Sequence, residues 1–179
     1  MMKFIRSRYL HTTLLALGLS TSCLVQSAAP NPYTFTKNNN ASNSNATELK
    51  LLQNHFQQQR KQAGLSSKSI RVGDVVWSYN EGGSHSKPTI LLIHGLAGTR
   101  DNWNRVAQFL TQHYHVIIPD LPNSGDTKTP SNFDNSVPNV TSQLRQFIEA
   151  IDCEENLHVA GHSLGGSIAT VYASQYPFD

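Results

Sequence analysis

Hydrophobic and polar positions recur with different periods along this chain, and the changes of period mark its segments. Near the start, a short apolar run centred on Leu14 to Leu19 follows the basic residues Lys3, Arg6 and Arg8. Residues 36–47, T-K-N-N-N-A-S-N-S-N-A-T, hold almost nothing apolar. Such a stretch cannot bury enough surface to offset its ordering entropy, so residues 29–47 are expected to form a flexible tether. From residue 48 the spacing turns helical, with Leu49, Leu52, Phe56 and Ala63 on one face. Thr47 is the expected N-cap and Gly64 the expected stop of a helix over 48–64 that packs on the main domain.

From Ser69 the period shortens to that of strands. S-I-R-V and V-V-W-S-Y flank Gly73-Asp74, a two-residue turn, and predict a hairpin that ends at Glu81-Gly82-Gly83. The runs T-I-L-L-I (89–93) and H-V-I-I (115–118) are continuously apolar, the pattern of strands buried on both faces. Residues 157–160 predict a further strand. Helical patterns separate these runs: 100–112, with Trp103, Val106, Ala107 and Leu110 on one side; 140–151, through Val140, Leu144, Phe147, Ile148 and Ile151; and 164–176, stopped by Pro177. Strands alternating with helices predict an α/β fold over residues 65–179, a mostly parallel sheet with helices on both faces. Ligands of such sheets bind beyond the carboxyl ends of the strands, so the loops after Ile93, Ile118 and Ala160 should share one rim.

Composition and charge then narrow the function classes. Fourteen Lys and Arg against 12 Asp and Glu leave a net charge of only +2. The cations are scattered, so no footprint for a nucleic-acid partner exists. No apolar run is long enough for an ordinary transmembrane helix. Residues 1–28 instead have the basic start, short apolar centre and small-residue end of an export signal. Two cleavage sites fit. S-T-S-C at 20–23 is similar to a bacterial lipoprotein box, which would leave an acylated Cys23 as the first residue and a membrane anchor. Cleavage near Ala28, in V-Q-S-A-A-P, would leave no lipid. The protein is therefore expected to be exported, as an outer-membrane or periplasmic lipoprotein or as a secreted protein. Cys153 is then a single thiol near a helix end. Two cysteines supply neither a disulfide framework nor metal-ligand spacing, and no metal or other cofactor is expected.

The chemistry concentrates in V-A-G-H-S-L-G-G-S-I-A-T, residues 159–170. Gly161-His162-Ser163-Leu164-Gly165 is a G-x-S-x-G motif placed between a predicted buried strand and a predicted helix, the context of a nucleophile elbow. Side chains at 161 and 165 would collide with the backbone of so tight a turn, so glycine is required there. The turn exposes the Ser163 hydroxyl, and the helix beginning at Leu164 points its N-terminus at the reaction site. Attack on a carbonyl also needs aimed N–H donors. The Leu164 amide is one candidate. The Leu96 amide, in the loop His94-Gly95-Leu96-Ala97-Gly98, is the other.

Together, I-L-L-I-H-G-L-A-G, I-P-D-L-P-N-S-G-D and V-A-G-H-S-L-G-G-S-I-A resemble the first half of an α/β-hydrolase of the lipase and esterase branch, from about Ser69 to Asp179. The resemblance implies that Ser163 is the nucleophile and that Leu96 and Leu164 form the oxyanion hole. It implies that His94, with Gly95, supports the loop and is not the catalytic base. It implies that Asp120 orders nearby loops and is not the acid of the triad. His162 occupies the variable position of the motif. Two departures stand out: the loop is H-G-L-A-G where some esterases have H-G-G-G, and Asn123 stands where relatives often carry glycine.

In that family the acid and the base follow the serine along the chain. The sixteen residues after Ser163 contain one acid, Asp179, and no histidine. The sequence is thus expected to be the N-terminal part of a longer product, cut after the elbow helix and inactive by itself. Its 157–160 strand would then be an exposed sheet edge. For the complete protein the expectation is hydrolysis of lipid or small carboxylic esters through an acyl-enzyme. A C–C bond hydrolase or another acyl-transfer enzyme of the same fold is the alternative. A non-catalytic truncated product or exported binding module is the rival from another class. Epoxide hydrolases and dehalogenases of this fold use aspartate where this chain has Ser163.

Overall fold

The computed structural model describes residues 41–176, with side chains from residue 45. The expected export signal, Cys23, residues 29–40 of the expected tether, Pro177 and Asp179 lie outside the described residues.

Four helices and five strands follow one another as α1 (Ala41–Gln62), β1 (Leu65–Val72), β2 (Val75–Gly82), β3 (Thr89–Ile93), α2 (Asn104–Leu110), β4 (His115–Pro119), α3 (Val137–Ala150), β5 (Leu157–Gly161) and α4 (Leu164–Gln175). The hairpin turns at Gly73-Asp74 as predicted, with Val72 opposite Val75 and Gly73 at φ 56°. The sheet order is β1-β2-β4-β3-β5. β2 meets β4 antiparallel, whereas β3 is parallel to both β4 and β5. Ile93 pairs with Gly161, so the loops leaving β3 and β5 stand side by side on one rim.

Both faces of the central strands are covered, which explains their unbroken apolar runs. Leu91, Ile93 and Ile117 face α3 and α4, packing with Leu144, Phe147, Ile168 and Tyr172. Phe147 stacks on Trp77 at 4.8 Å between ring centroids and meets Tyr79 edge-on at 5.2 Å. Fully burying one side chain of this size is worth about 1.5–3 kcal/mol. Leu92, Val116 and Ile118 face the other way, toward Ala63 and Ala107. β5 is an edge strand, paired with β3 alone among the described residues.

Three expectations need correction. The first helix begins at Ala41, so Thr47 lies inside it and does not cap it. Asn and Ser lose only a few tenths of a kcal/mol each to alanine in a helix, up to about 0.7, and no Gly or Pro interrupts 41–46. Second, only the end of that helix packs. Leu49 and Leu52 are 57% and 49% exposed, while Ala63 is buried and Arg60 pairs with Asp101 at 2.6 Å. Gly64, at φ 66°, stops the helix as expected. Third, the helix expected over 100–112 opens as a tighter 3-10 turn over Arg100–Trp103. Thr99 and Asn102 cap that turn reciprocally.

Cys153 is an unpaired, buried thiol just past α3. Burial, together with the negative charges of Glu81, Glu154 and Asp152, pushes it up to about 11. The thiol donates to the Ile151 carbonyl at 3.3 Å. A disulfide reagent at pH 8 is expected to leave Cys153 unmodified in the folded protein and to modify it after denaturation, because the thiolate is the reactive form. Rapid modification of the native protein would contradict this placement.

Candidate active site

The rim above β3, β4 and β5 gathers the residues singled out from the sequence. Ser163 sits between β5 and α4 at φ 54°, ψ −120°, a backbone conformation that side-chain-bearing residues rarely adopt. Its surroundings enforce that conformation. A Cβ at Gly165 would lie 2.6 Å from the His94 carbonyl oxygen and closer still to that of Ile93. A Cβ at Gly161 would lie 2.6 Å from the Gly166 nitrogen and would overlap the Gly165 carbonyl. The turn is also pinned to β3, since the His162 amide donates to the Ile93 carbonyl at 3.0 Å. Ser163 and His162 are consequently exposed, while Gly165 is buried beneath them.

Leu164 is the first residue of α4. Its amide is among the four N–H groups that a helix leaves without an intrahelical acceptor. The loop after β3 crosses directly beside the elbow, where a Cβ at Gly95 would stand 3.1 Å from the Ser163 Cβ. Leu96 follows, its side chain 82% exposed, and Ala97 adopts φ 58°. Gly98 closes the turn by donating to the Gly95 carbonyl at 3.0 Å.

His94 is buried, and its hydrogen bonds assign its tautomer. Nε2 accepts from the Leu121 amide at 2.9 Å, which leaves Nδ1–H to donate to the Gly95 carbonyl at 2.8 Å. The ring thus ties the loop after β3 to the loop after β4, and it has no free nitrogen for catalysis. Asp120, fully buried at the end of β4, does comparable work from the other side. Its carboxylate accepts from the Arg100 amide at 2.6 Å, from the Asp126 amide at 2.8 Å and from the Arg100 guanidinium. Arg100 also reaches Asp126 at 2.5 Å. Gly125, at φ 53°, lets the chain pass so close to Asp120 that any Cβ there would strike the carboxylate. Asn123 holds φ 60°, a left-handed position that Asn tolerates better than most residues. Its side chain donates to Asn135 at 2.8 Å and accepts from Thr129. The loop therefore keeps its shape without a glycine at 123.

Arg100 and Asp126 were not among the residues singled out from the sequence. A basic residue capping a strand-to-helix turn, with carboxylates at 120 and 126, carries no motif; only the fold brings them together.

Two cavities flank the exposed loop at Leu96. One, of about 650 Å³, opens between Ser163, His162, Trp103 and Val106. The other, of about 400 Å³, is walled by Leu121, Val137, Val140, Leu164 and Ile168. Both are predominantly apolar. His113 and His158 lie outside both cavities, and His115 is buried against Glu81 at the far end of β4.

Comparison with known proteins agrees with this geometry. Residues 88–178 match the family model described as alpha/beta hydrolase fold. Lipase 1 of Psychrobacter immobilis is 36% identical over 137 residues, covering 75% of this chain and 43% of the lipase. A proposed lipase, lip1, of Acinetobacter baumannii AYE superposes with a TM-score of 0.69 at 64% identity, over 70% of this chain and 42% of that one. A bacterial membrane phospholipase A, described as a virulence factor, superposes with a TM-score of 0.69 at 41% identity, over 72% and 41% of the two chains. The chain thus spans less than half the length of each of these relatives.

Proposed function

We propose, from the premise that this chain belongs to the α/β-hydrolase family, that it carries the nucleophile and the oxyanion hole of a carboxylic ester hydrolase acting on lipid esters. The observation that carries the proposal is Ser163 held at φ 54° on a glycine-locked turn between β5 and α4. Similarity to a lipase and to a membrane phospholipase A supports the substrate class. The apolar walls beside Leu96 suit an acyl chain.

In this reading Ser163 Oγ attacks the ester carbonyl carbon while its proton passes to a base. The carbonyl oxygen becomes an oxyanion held by the Leu96 and Leu164 amides. The alcohol leaves with the proton, and an acyl-serine remains. Water then adds to that acyl group, returns its proton through the same base and releases the acid. His94 and Asp120 hold the two loops in register and touch no reacting atom. Export, with acylation of Cys23, would place the enzyme beside its lipid substrate. An intact mass of the native product that showed an unmodified Cys23 would overturn the acylation.

The test of function uses the whole native gene product. A fluorophosphonate probe should label Ser163, and p-nitrophenyl esters and phospholipids should be hydrolysed. Turnover of a ring-cleavage diketone without turnover of any ester would replace this reading with a C–C bond hydrolase. Absence of both labelling and turnover would leave a non-catalytic protein.

A further inference from the structure

At the end of the sheet opposite the rim that carries Ser163, three ligand-type side chains converge. Glu81 lies near the end of β2, His85 in the β2–β3 connection, and His115 is the first residue of β4. Glu81 and His115 are 8% and 2% exposed, whereas His85 is open to solvent. Glu81 Oε1 stands 2.8 Å from His115 Nε2 and 3.2 Å from His85 Nε2, and one ligand atom from each residue lies within 4.8 Å of the others. We propose that Glu81, His85 and His115 form a binding site for a zinc-class divalent transition metal.

The donor set and its spacing carry the proposal. Two imidazoles and a carboxylate suit zinc and its neighbours, whereas magnesium and calcium require oxygen ligands. Tetrahedral ligands about 2.0–2.2 Å from zinc stand roughly 3.3–3.6 Å from one another, so the 3.2 Å separation from His85 nearly fits and the 2.8 Å separation from His115 has to open slightly. The exposed His85 supplies its own small adjustment. Glu81 divides its work between its two oxygens: Oε2 meets Lys68 at 2.5 Å, leaving Oε1 turned to the histidines.

Outer partners are also in place. Metallation of His115 at Nε2 moves its proton to Nδ1, which has Thr89 Oγ1 at 3.4 Å and Cys153 Sγ at 3.9 Å. The fourth position faces an open polar cavity of about 460 Å³ that Asp152 and Glu155 also line. Lys87 lines the same cavity, but its ammonium donates to the Gln112 carbonyl at 2.6 Å, and the two carboxylates outnumber it. The site lies at the amino ends of β3 and β4, whereas Ser163 follows the carboxyl end of β5. A metal here would join β2, β4 and the connection between β2 and β3, and would take no part in ester chemistry.

The experiment compares the purified, chelator-treated protein with its His85→Ala variant by titration calorimetry and thermal unfolding. His85 is exposed, so its removal leaves the fold intact. The expected result is one zinc site per chain, no uptake of magnesium, and a rise in unfolding temperature with zinc. In the variant, zinc affinity should fall at least 10-fold and the thermal shift should vanish. No zinc uptake by the parent, or equal zinc affinity in the two proteins, would overturn the proposal. In that case Glu81, His85 and His115 only satisfy one another by hydrogen bonding.

Discussion

Replacing Ser163 by alanine is expected to abolish ester hydrolysis by the complete enzyme, with kcat falling about 10⁶-fold, the scale seen when a serine nucleophile is deleted. A residual rate of roughly 10³ over water should persist if the Leu96 and Leu164 amides form the proposed oxyanion hole. Stability should barely change, since alanine retains the Cβ and the same φ of 54°. Ser163→Gly separates the two properties. It should be equally inactive but more stable, because a non-glycine residue held at such a conformation costs of order 1–3 kcal/mol. Steady-state kinetics and urea unfolding of the two variants read these outcomes. Activity within 100-fold of the parent in Ser163→Ala would remove Ser163 from the nucleophile's role. A Ser163→Gly variant no more stable than Ser163→Ala would show that the turn holds no strain.

Asp120→Ala is expected to be severely destabilising. It deletes a fully buried carboxylate and leaves the Arg100 guanidinium, whose side chain is 10% exposed, beside a cavity. Breaking a buried pair from one side costs about 3–5 kcal/mol. The amides of Arg100 and Asp126 lose their acceptor as well. Asp126→Ala is the contrast. Its side chain is 72% exposed, so loss of its contact with Arg100 should cost less than about 1 kcal/mol. Denaturant midpoints of the two variants should therefore separate widely at similar slopes. Equal midpoints would mean that Asp120 does not organise the rim.

The parts of the fold that were legible in the sequence are those with a local cause. Thr89–Ile93 and His115–Pro119 read as strands because both faces are buried, which makes the apolar run continuous. Gly73-Asp74 specified the hairpin, and Gly161, Ser163 and Gly165 specified the elbow through sterics that act within a few residues. The start of α1 was not legible, because 41–46 are neither strong helix formers nor breakers. Leu49 and Leu52 sat at helical spacing, yet spacing does not say whether a face will be covered. Arg100 with Asp126, and Glu81 with His85 and His115, were invisible for another reason. Pairing β2 beside β4, across β3 in the sequence, brings Glu81 to His115, and pairing β3 beside β4 sets the loop that holds Arg100 next to the loop that holds Asp126.

That strand order also sets a sequence of events in folding. β1 and β2 are joined by two residues and can pair at once. Thr89 must wait for Leu157, which pairs with it across the intervening strand and two helices. Closing that long loop costs more entropy than closing the hairpin turn. The Gly161–Gly165 turn leans on the Ile93 and His94 carbonyls, so it cannot be forced into shape before β5 has docked on β3. A chain still emerging from synthesis would thus carry Ser163 as an ordinary serine. Its strained turn is a late product of sheet assembly, formed only once the strands that hold it are in place.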